Sequence, residues 1–385
     1  MSDEQLYNRV SQILELARSQ VARTVNTAMV QAYWLIGREI VEVEQDGEAR
    51  AGYGEEVLQR LSERLKKGVG KGFGIRTLRN IRQFYLTFPN GSALPEIRQA
   101  ALAESRARES GIGQALLAGS QDGSSRSSFA AASFPPAIGW THYLILMRVS
   151  RPEARAFYEI EAARECWSTR QLERQIGSLL YDRLARQRDP EAVRALARAG
   201  QEVATPADVI KDPFVLEFLD LAAHPALRER DIEQAIIDRL EAFLLEMGKG
   251  FCFVGRQKRL TVDGDHFYVD LVFYNRLLRC FVLVDLKLGK LTHQDLGQMQ
   301  MYVNYFDRTQ RAEHEAKTVG IVLCSEHNAA MVKITLPEDN EQIVAATYLH
   351  YLPTEAELQL ELTREREDAE RVLRLTASPD EGGES

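Results

Sequence analysis

The sequence predicts an α+β or α/β protein in two parts, an all-helical N-terminal domain followed by a domain built on one β-sheet. Apolar residues recur at helical spacing between Leu6 and Val21, and a second apolar helical stretch covers 28–44. Beyond residue 250 the apolar residues instead form short runs bounded by turn residues, which is the pattern of strands. From about residue 228 onward, a helix, three strands, a second helix and further strand runs follow one another, so we expect the order αβββαβ.

Length and composition are those of an ordinary globular protein. The 385 residues are enough for two domains that each bury a core, and 45% of them are hydrophobic and 27% charged. No apolar run approaches the ~18 residues of a membrane span, and the N-terminus lacks the basic and apolar regions of a secretory signal. We therefore expect no membrane association. The net charge of −8 argues against indiscriminate nucleic-acid binding, so any such surface must be local.

The four cysteines are widely spaced, and three of them, Cys252, Cys280 and Cys324, lie within apolar strand-like runs. This spacing does not suggest a disulfide framework or a zinc site. We expect buried thiols and a cytoplasmic protein.

A basic segment stands out in the helical part. Residues 75–88 are predicted to form a helix with Leu78, Ile81 and Tyr85 facing inward. A helix, a glycine-rich turn and a second basic helix is the layout of a helix-turn-helix DNA reader. The alternative is a solvated basic face or a dock for an acidic partner domain. The candidate nucleic-acid-binding residues are Lys71, Arg76, Arg79 and Arg82.

Composition also suggests the domain limits. Residues 90–137 are rich in Ala, Ser, Gly and Arg, so most of this stretch is predicted to be a flexible linker or insertion. The helical domain is then expected to comprise 1–89 and 138–200, and the sheet domain 205–353. Residues 354–385 are predicted to be a charged helix and tail.

Three helices are predicted around the boundary between the two domains. The first begins at Ser168, which has capping-box spacing to Gln171, and runs through Leu184. The second covers the apolar residues after Asp208. The third begins near Arg228 and ends at Gly248, where glycine provides the stop.

Acidic residues interrupt two of the predicted strands. Asp270 lies in the middle of the apolar strand 266–274, while Asp285 and Lys287, two residues apart, share one face of the next strand. Charged groups in such strands lose hydration and need each other, a metal or a ligand. Two acids on neighbouring strands can converge on one hard cation, which prefers oxygen ligands. The alternative is structural, with Asp285 and Lys287 as an ion pair and Asp270 as a hydrogen-bonded interior acid.

The pattern of Asp270 followed by Asp285-Leu286-Lys287 matches the signature of the PD-(D/E)xK nuclease superfamily. Gln298 and Tyr302, on the next predicted helix, match the QxxxY motif of some of its members. At closer range GKGFCFVGRQ and GQMQMYVNYFD resemble the YhcG family over most of the chain. This resemblance implies a helical N-terminal domain and a restriction-endonuclease-like nuclease domain.

The resemblance also implies roles for individual residues. Asp270, Asp285 and the backbone carbonyl of Leu286 would ligate Mg²⁺, or Mn²⁺ in its place. Lys287 would orient or deprotonate the attacking water, helped by a pKa lowered by burial beside cations. Glu233 is the best match for a helical acid that touches the metal directly or through water, with Glu241 as the alternative. Gln298 would hold the lysine or a phosphate oxygen, and Tyr302 would contact the nucleic-acid backbone.

The function expected from these residues is a Mg²⁺-dependent nuclease, an endonuclease acting on DNA, with RNA as an alternative substrate. The helical region would bind DNA, a protein partner or a second copy of the chain. The competing hypothesis is a non-catalytic nucleic-acid-binding or scaffold subunit of a defence or mobile-element system on the same fold.

Overall fold

The computed structural model describes residues 26–43, 53–68, 72–95, 97, 133–186, 188, 190–219, 228–326, 329–337, 339–354 and 356–357. The chain divides into two compact units, Met1–Ile176 with Pro190–Gly200, and Gly177–Asp189 with Gln201–Ser385. The domain limits expected from the sequence placed 177–189 in the helical part, whereas here this segment groups with the second unit. The predicted helix between Leu6 and Val21, most of the predicted linker and the C-terminal charged helix lie outside the described residues.

The first unit is built from helices. The helical residues 26–43 form α1, and the helices after it are α2 (Tyr53–Gly68), α3 (Ile75–Thr87), α4 (Trp140–Leu146), α5 (Pro152–Arg164), α6 (Thr169–Gly177) and α8 (Pro190–Ala199). The helix predicted over 75–88 is confirmed.

The core of this unit joins the first three helices. Leu78 and Ile81 are fully buried and pack with apolar residues of α1 and α2. The third inward residue is Phe84, not Tyr85 as predicted, because the ring of Phe84 enters an aromatic cluster with its neighbours at centroid distances of 4.8–5.4 Å. Tyr85 is half-buried. The rings in contact with Phe84 are those of Phe88, Phe134, Trp140 and Tyr143.

A buried carboxylate fixes the segment that follows α3. Glu159 accepts hydrogen bonds from the Tyr143 hydroxyl at 2.8 Å and from the backbone N–H of Ala93 at 2.9 Å. Because Ala93 is buried and hydrogen-bonded, the ordered part of this unit extends beyond residue 90, where the linker was predicted to begin. Burial, together with the neighbouring Glu159 carboxylate, raises the pKa of Tyr143 well above its ordinary value.

The second unit contains one six-stranded sheet with the order β1-β6-β5-β4-β3-β2. The pairs β1–β6, β6–β5 and β5–β4 are parallel, and β4–β3 and β3–β2 are antiparallel. The strands are β1 (Phe214–Val215), β2 (Phe251–Val262), β3 (Asp265–Asn275), β4 (Cys280–Lys290), β5 (Val319–Glu326) and β6 (Ile343–Leu349). Its α-helices are α7 (Leu180–Ala185), α9 (Glu229–Asp238), α10 (Leu240–Met247), α11 (His293–Thr309) and α12 (Ala329–Thr335).

Packing on the two faces of the sheet explains the long apolar runs. Leu271 and Val284 face a core that includes Ile236 of α9. Leu283 and Val322 face the other core, with Met299 of α11. Strand β4 is therefore covered on both sides, as its sequence predicted. The order αβββαβ is confirmed, with the first helix interrupted and β1 added at the sheet edge.

Three predicted helices differ in the structure. The helix expected after Asp208 is replaced by two 3₁₀ turns, Pro206–Asp208 and Glu217–Leu219, on either side of β1. Pro213 cannot donate a helical hydrogen bond, and Phe214 and Val215 bury themselves in the sheet instead.

The other two helices are broken within their predicted spans. Leu179 adopts a left-handed backbone (φ 53°) between α6 and α7. Arg239 leaves helical geometry (φ −121°, ψ 32°) between α9 and α10. The first break directly follows Gly177, a residue type that weakens helices, whereas Arg239 favours helix by type.

Two of the four free cysteines, Cys280 and Cys324, are buried, and burial raises their pKa values to about 11 and about 12. Cys252, which was predicted to be buried, is exposed. It lies on the edge strand β2, where alternate side chains point outward. No helix in the described parts of the chain is both long enough and apolar enough to span a bilayer.

Candidate active site

The ladder between β3 and β4 brings the two predicted acids together. Leu271 pairs with Val284, so the next residues along, Asp270 and Asp285, are neighbours across the antiparallel pair. Asp270 Oδ2 accepts a hydrogen bond from the backbone N–H of Leu286 at 2.8 Å. The carboxylate of β3 is thus anchored directly to the strand that carries Asp285 and Lys287.

Asp285 is only 3% exposed, and its environment disfavours its charge. Burial and then the neighbouring Asp270 charge raise its pKa to about 7, against the opposing effect of Lys287. Its buried Oδ2 atom has no hydrogen-bond donor in suitable geometry among the described residues. Lys287 Nζ lies 2.9 Å from this oxygen, which is close enough for an ion pair. The angles of this contact, however, are not those of a hydrogen bond.

Lys287 shares a face with Asp285, as predicted. Its Nζ also lies 4.0 Å from Asp295 Oδ1 of α11. Burial acts to lower the pKa of Lys287, but the charges of Asp285, Glu229 and Asp270 outweigh it and leave the pKa raised. The lowered pKa predicted for Lys287 beside bound cations stays a prediction.

Glu233 is the helical acid that reaches the strand acids. It is buried on α9, and its Oε2 accepts a hydrogen bond from Gln257 Nε2 at 2.6 Å. The same Gln257 nitrogen donates to Asp270 Oδ1 at 3.0 Å. Burial and the Asp270 charge raise the pKa of Glu233, against the Gln257 hydrogen bond. The alternative acid Glu241 is exposed on α10, so the geometry favours Glu233.

Gln298 and Tyr302 form a supporting pair one turn apart on α11. Gln298 Nε2 donates to the Tyr302 hydroxyl, which donates to the backbone carbonyl of Tyr268 at 2.9 Å. Tyr302 is fully buried, so in this conformation its side chain is not accessible for the contact with a nucleic-acid backbone that the resemblance implies. The pair instead fixes α11 to β3 two residues before Asp270.

Sequence reasoning missed two residues beside the acids. Gln257 has a left-handed backbone (φ 48°) within β2, and no sequence signal marks a glutamine for this position. Glu229, at the start of α9, accepts a hydrogen bond from the backbone N–H of Leu288 at 3.3 Å and lies near Lys287. An acid in the first turn of a helix commonly stabilises the helix dipole, so the position of Glu229 in the sequence does not by itself predict a site residue.

The donor set suits a hard divalent cation. Within the described ranges, no three His, Cys, Asp or Glu side chains are gathered around a common point. Two adjacent carboxylates are present, however, and a buried oxygen of Asp285 has the Lys287 ammonium at 2.9 Å without the alignment of a hydrogen bond. Mg²⁺ is commonly held by one or two carboxylates and several waters, so Asp270 and Asp285 meet this requirement. The Leu286 carbonyl remains a predicted ligand.

The predicted nucleic-acid-binding residues lie on α3 of the first unit. Arg76 and Arg79 are exposed and Arg82 is half-buried, as expected for the outward face of this helix. Lys71 falls outside the described residues.

Comparisons with known proteins agree with this architecture. Residues 207–363 match the family model described as YhcG PDDEXK nuclease domain, and residues 9–183 match the DUF1016 N-terminal domain. The chain is 39% identical over 361 residues to the protein named "Putative nuclease YhcG" of Escherichia coli (strain K12), covering 94% of each chain.

Two solved structures are also similar in part. A repair endonuclease from Pyrococcus abyssi matches with 18% identity and a TM-score of 0.23, over 35% of this chain and 51% of that one. The structure described as "Structure of EndoMS-dsDNA2 complex" matches with 18% identity and a TM-score of 0.24, over 35% of this chain and 49% of that one. The chain spans about half the length of these two structures.

Proposed function

We propose that this chain, which belongs to the YhcG family, is a Mg²⁺-dependent nuclease that hydrolyses phosphodiester bonds in DNA and acts as an endonuclease. The nuclease-domain match covers the unit that contains the acids, which supports the reaction class.

The observation that carries the proposal is the convergence of three charged groups at the junction of β3 and β4. Asp270 is held by the Leu286 N–H, and Lys287 Nζ lies 2.9 Å from the buried Asp285. A buried acid with a pKa raised to about 7 is unfavourable for the fold alone. Such groups concentrate at functional sites, where a cation or substrate relieves the repulsion.

Each residue of the site would have its own role in the reaction. Asp270 and Asp285, with the Leu286 carbonyl, would hold the cation, and Glu233 would complete its surroundings directly or through a water. Mg²⁺, or Mn²⁺ in its place, supplies positive charge against the phosphate and favours ionisation of water. Lys287 would bind and orient the attacking water once its partner carboxylate is engaged. Gln298 and Tyr302 would position β3 from α11.

The experiment is cleavage of covalently closed plasmid DNA in Mg²⁺ by the full chain and by the variants Asp285→Asn and Lys287→Ala. We expect nicked and linear products from the wild-type protein and a loss of at least about 100-fold in both variants, since each removes a group of the reacting centre. Equal cleavage by all three proteins would mean that the activity comes from another site. Labelled RNA in a parallel reaction separates the two substrates.

We also propose that the helical unit binds DNA through α3, where Arg76, Arg79 and Arg82 face outward, or instead contacts a protein partner or a second copy of the chain. The four free thiols support our placement of the protein in the reducing cytoplasm.

A second candidate function is a non-cleaving nucleic-acid-binding or scaffold subunit on the same fold, in a defence or mobile-element system. It is favoured by the ion pair between Lys287 and Asp285, together with the lack of a three-acid cluster among the described residues. Under this hypothesis DNA binds equally to the wild-type protein and to Asp285→Asn, and calorimetry with Mg²⁺ gives no heat.

A further inference from the structure

Gln257 of the edge strand β2 joins two acids that come from different elements. Its Nε2 atom donates to Glu233 Oε2 at 2.6 Å and to Asp270 Oδ1 at 3.0 Å. A glutamine amide nitrogen carries two hydrogens, so both hydrogen bonds form at the same time. One side chain therefore fixes a helical acid of α9 relative to a strand acid of β3.

The backbone of Gln257 is unusual for its position. Its φ of 48° lies in the left-handed region, while its neighbours Arg256 and Lys258 remain paired with Leu271 and Val269 of β3. A non-glycine residue in this region is sterically strained, and such conformations cluster at functional sites. The strand thus keeps a strained residue opposite Asp270.

The Gln257 amide lies between two side chains of like charge. Glu233 and Asp270 are both acids, and both accept a hydrogen bond from the same amide nitrogen of Gln257. N–H donors placed between two like-charged carboxylates offset their mutual repulsion and keep them from turning apart. Carboxylates held in this way present their remaining lone pairs in fixed directions, which lowers the cost of ordering them around a cation.

We propose that Gln257 is a positioning residue that holds Glu233 and Asp270 ready for a divalent cation. This inference rests on the proposed function, because it concerns the same cation site. Residues that orient metal ligands typically change metal affinity by about 10–100-fold when they are removed. We expect a loss of this size when the Gln257 amide is absent.

The test is calorimetric titration of Mn²⁺ into the full chain, freed of metal with EDTA and then dialysed. Gln257→Met keeps the length of the side chain and removes both donors, and Gln257→Ala removes the side chain. Gln300→Ala is the matched control, because the Gln300 amide bonds Asn304 on α11. Asp285→Asn shows how much the loss of a proposed ligand lowers the affinity for Mn²⁺. Thermal unfolding of each protein in EDTA provides the second readout.

We expect Mn²⁺ affinity to fall about 10–100-fold in both Gln257 variants and to stay unchanged in Gln300→Ala. A lower unfolding temperature in EDTA with unchanged Mn²⁺ affinity would assign Gln257 a purely structural role and overturn the inference, leaving the nuclease proposal intact if Asp285→Asn binds weakly. If the wild-type protein does not bind Mn²⁺, or Asp285→Asn binds it equally well, the cation site itself is overturned, and the role of Gln257 with it.

Discussion

Asp270 on β3 accepts a hydrogen bond at 2.8 Å from the backbone N–H of Leu286 on β4. This bond ties the first acid of the site to the strand that carries the second acid and the lysine. It also makes Asp270 a structural residue as well as a candidate ligand, and the two roles can be separated by substitution.

Asp270→Asn should keep the fold and lose the activity. The asparagine carbonyl still accepts the Leu286 N–H, but its NH₂ group replaces the oxygen that accepts from Gln257, and the negative charge that would hold a cation is gone. We expect plasmid cleavage to fall by at least about 100-fold, with an unfolding temperature higher than that of Asp270→Ala. Asp270→Ala is the comparison, since it also leaves the N–H without its acceptor and should unfold at a lower temperature. Retained cleavage by Asp270→Asn would remove Asp270 from the site.

Asp285→Asn should stabilise the cation-free protein above neutral pH. The folded-state pKa of Asp285 is raised to about 7, above its value of about 4 when unfolded. The folded state therefore holds this proton more tightly, and the wild-type protein loses stability as pH rises from about 4 to about 7. In urea unfolding with EDTA, the free energy of unfolding of the variant should exceed that of the wild-type protein by an amount that grows between about pH 4 and about pH 7. This difference should level off on the order of 1–3 kcal/mol. A difference in the free energy of unfolding that does not change with pH would contradict a raised pKa of Asp285 in the folded state.

Arg183→Met should destabilise the second unit. The Arg183 and Glu246 side chains are fully buried and form an ion pair, and Arg183 also donates to the carbonyls of Ser178 and Pro213. Removing one partner of such a pair leaves a buried charge and costs about 3–5 kcal/mol. Arg230→Met is the control, because its contact with Asp231 is exposed and long at 3.9 Å. Equal urea midpoints for the two variants would show that the 177–189 segment does not hold this unit together.

Arg76→Glu should weaken DNA binding if α3 contacts the phosphate backbone. Arg76 is exposed on the outward face of the helix. Each lost phosphate contact should reduce the slope of log affinity against log salt by about 0.9, measured by fluorescence anisotropy with labelled duplex. Gln83→Ala on the same helix is the control, since the Gln83 amide bonds Thr87. An unchanged salt slope in Arg76→Glu would favour a partner surface over a DNA surface.

Local pattern was sufficient to predict strands β2 to β6 and the acid pair. The apolar runs of β3 and β4 follow directly from period-two burial, and the two-residue spacing places Asp285 and Lys287 on one face. Their antiparallel register then brings Asp270 alongside. Each of these steps depends only on neighbouring residues in the chain.

The features that were not predicted depend on distant contacts. Arg183 meets Glu246 across 63 residues of chain, so no local signal assigns the 177–189 segment to the sheet unit. Gln257 reaches Glu233 because its backbone turns left-handed within a paired strand, a conformation that a glutamine does not favour by itself. Breaks at Leu179 and Arg239 likewise occur at residues that favour helix locally.

Anomalous diffraction from crystals of the full chain soaked in Mn²⁺ is the most direct measurement of the central claim. We expect one peak that lies about 2.0–2.3 Å from carboxylate oxygens of both Asp270 and Asp285, and no peak at that position in Asp285→Asn crystals. A peak elsewhere, or no peak near the two aspartates at saturating Mn²⁺, would contradict the assignment of this junction of β3 and β4 as a cation-dependent nuclease centre.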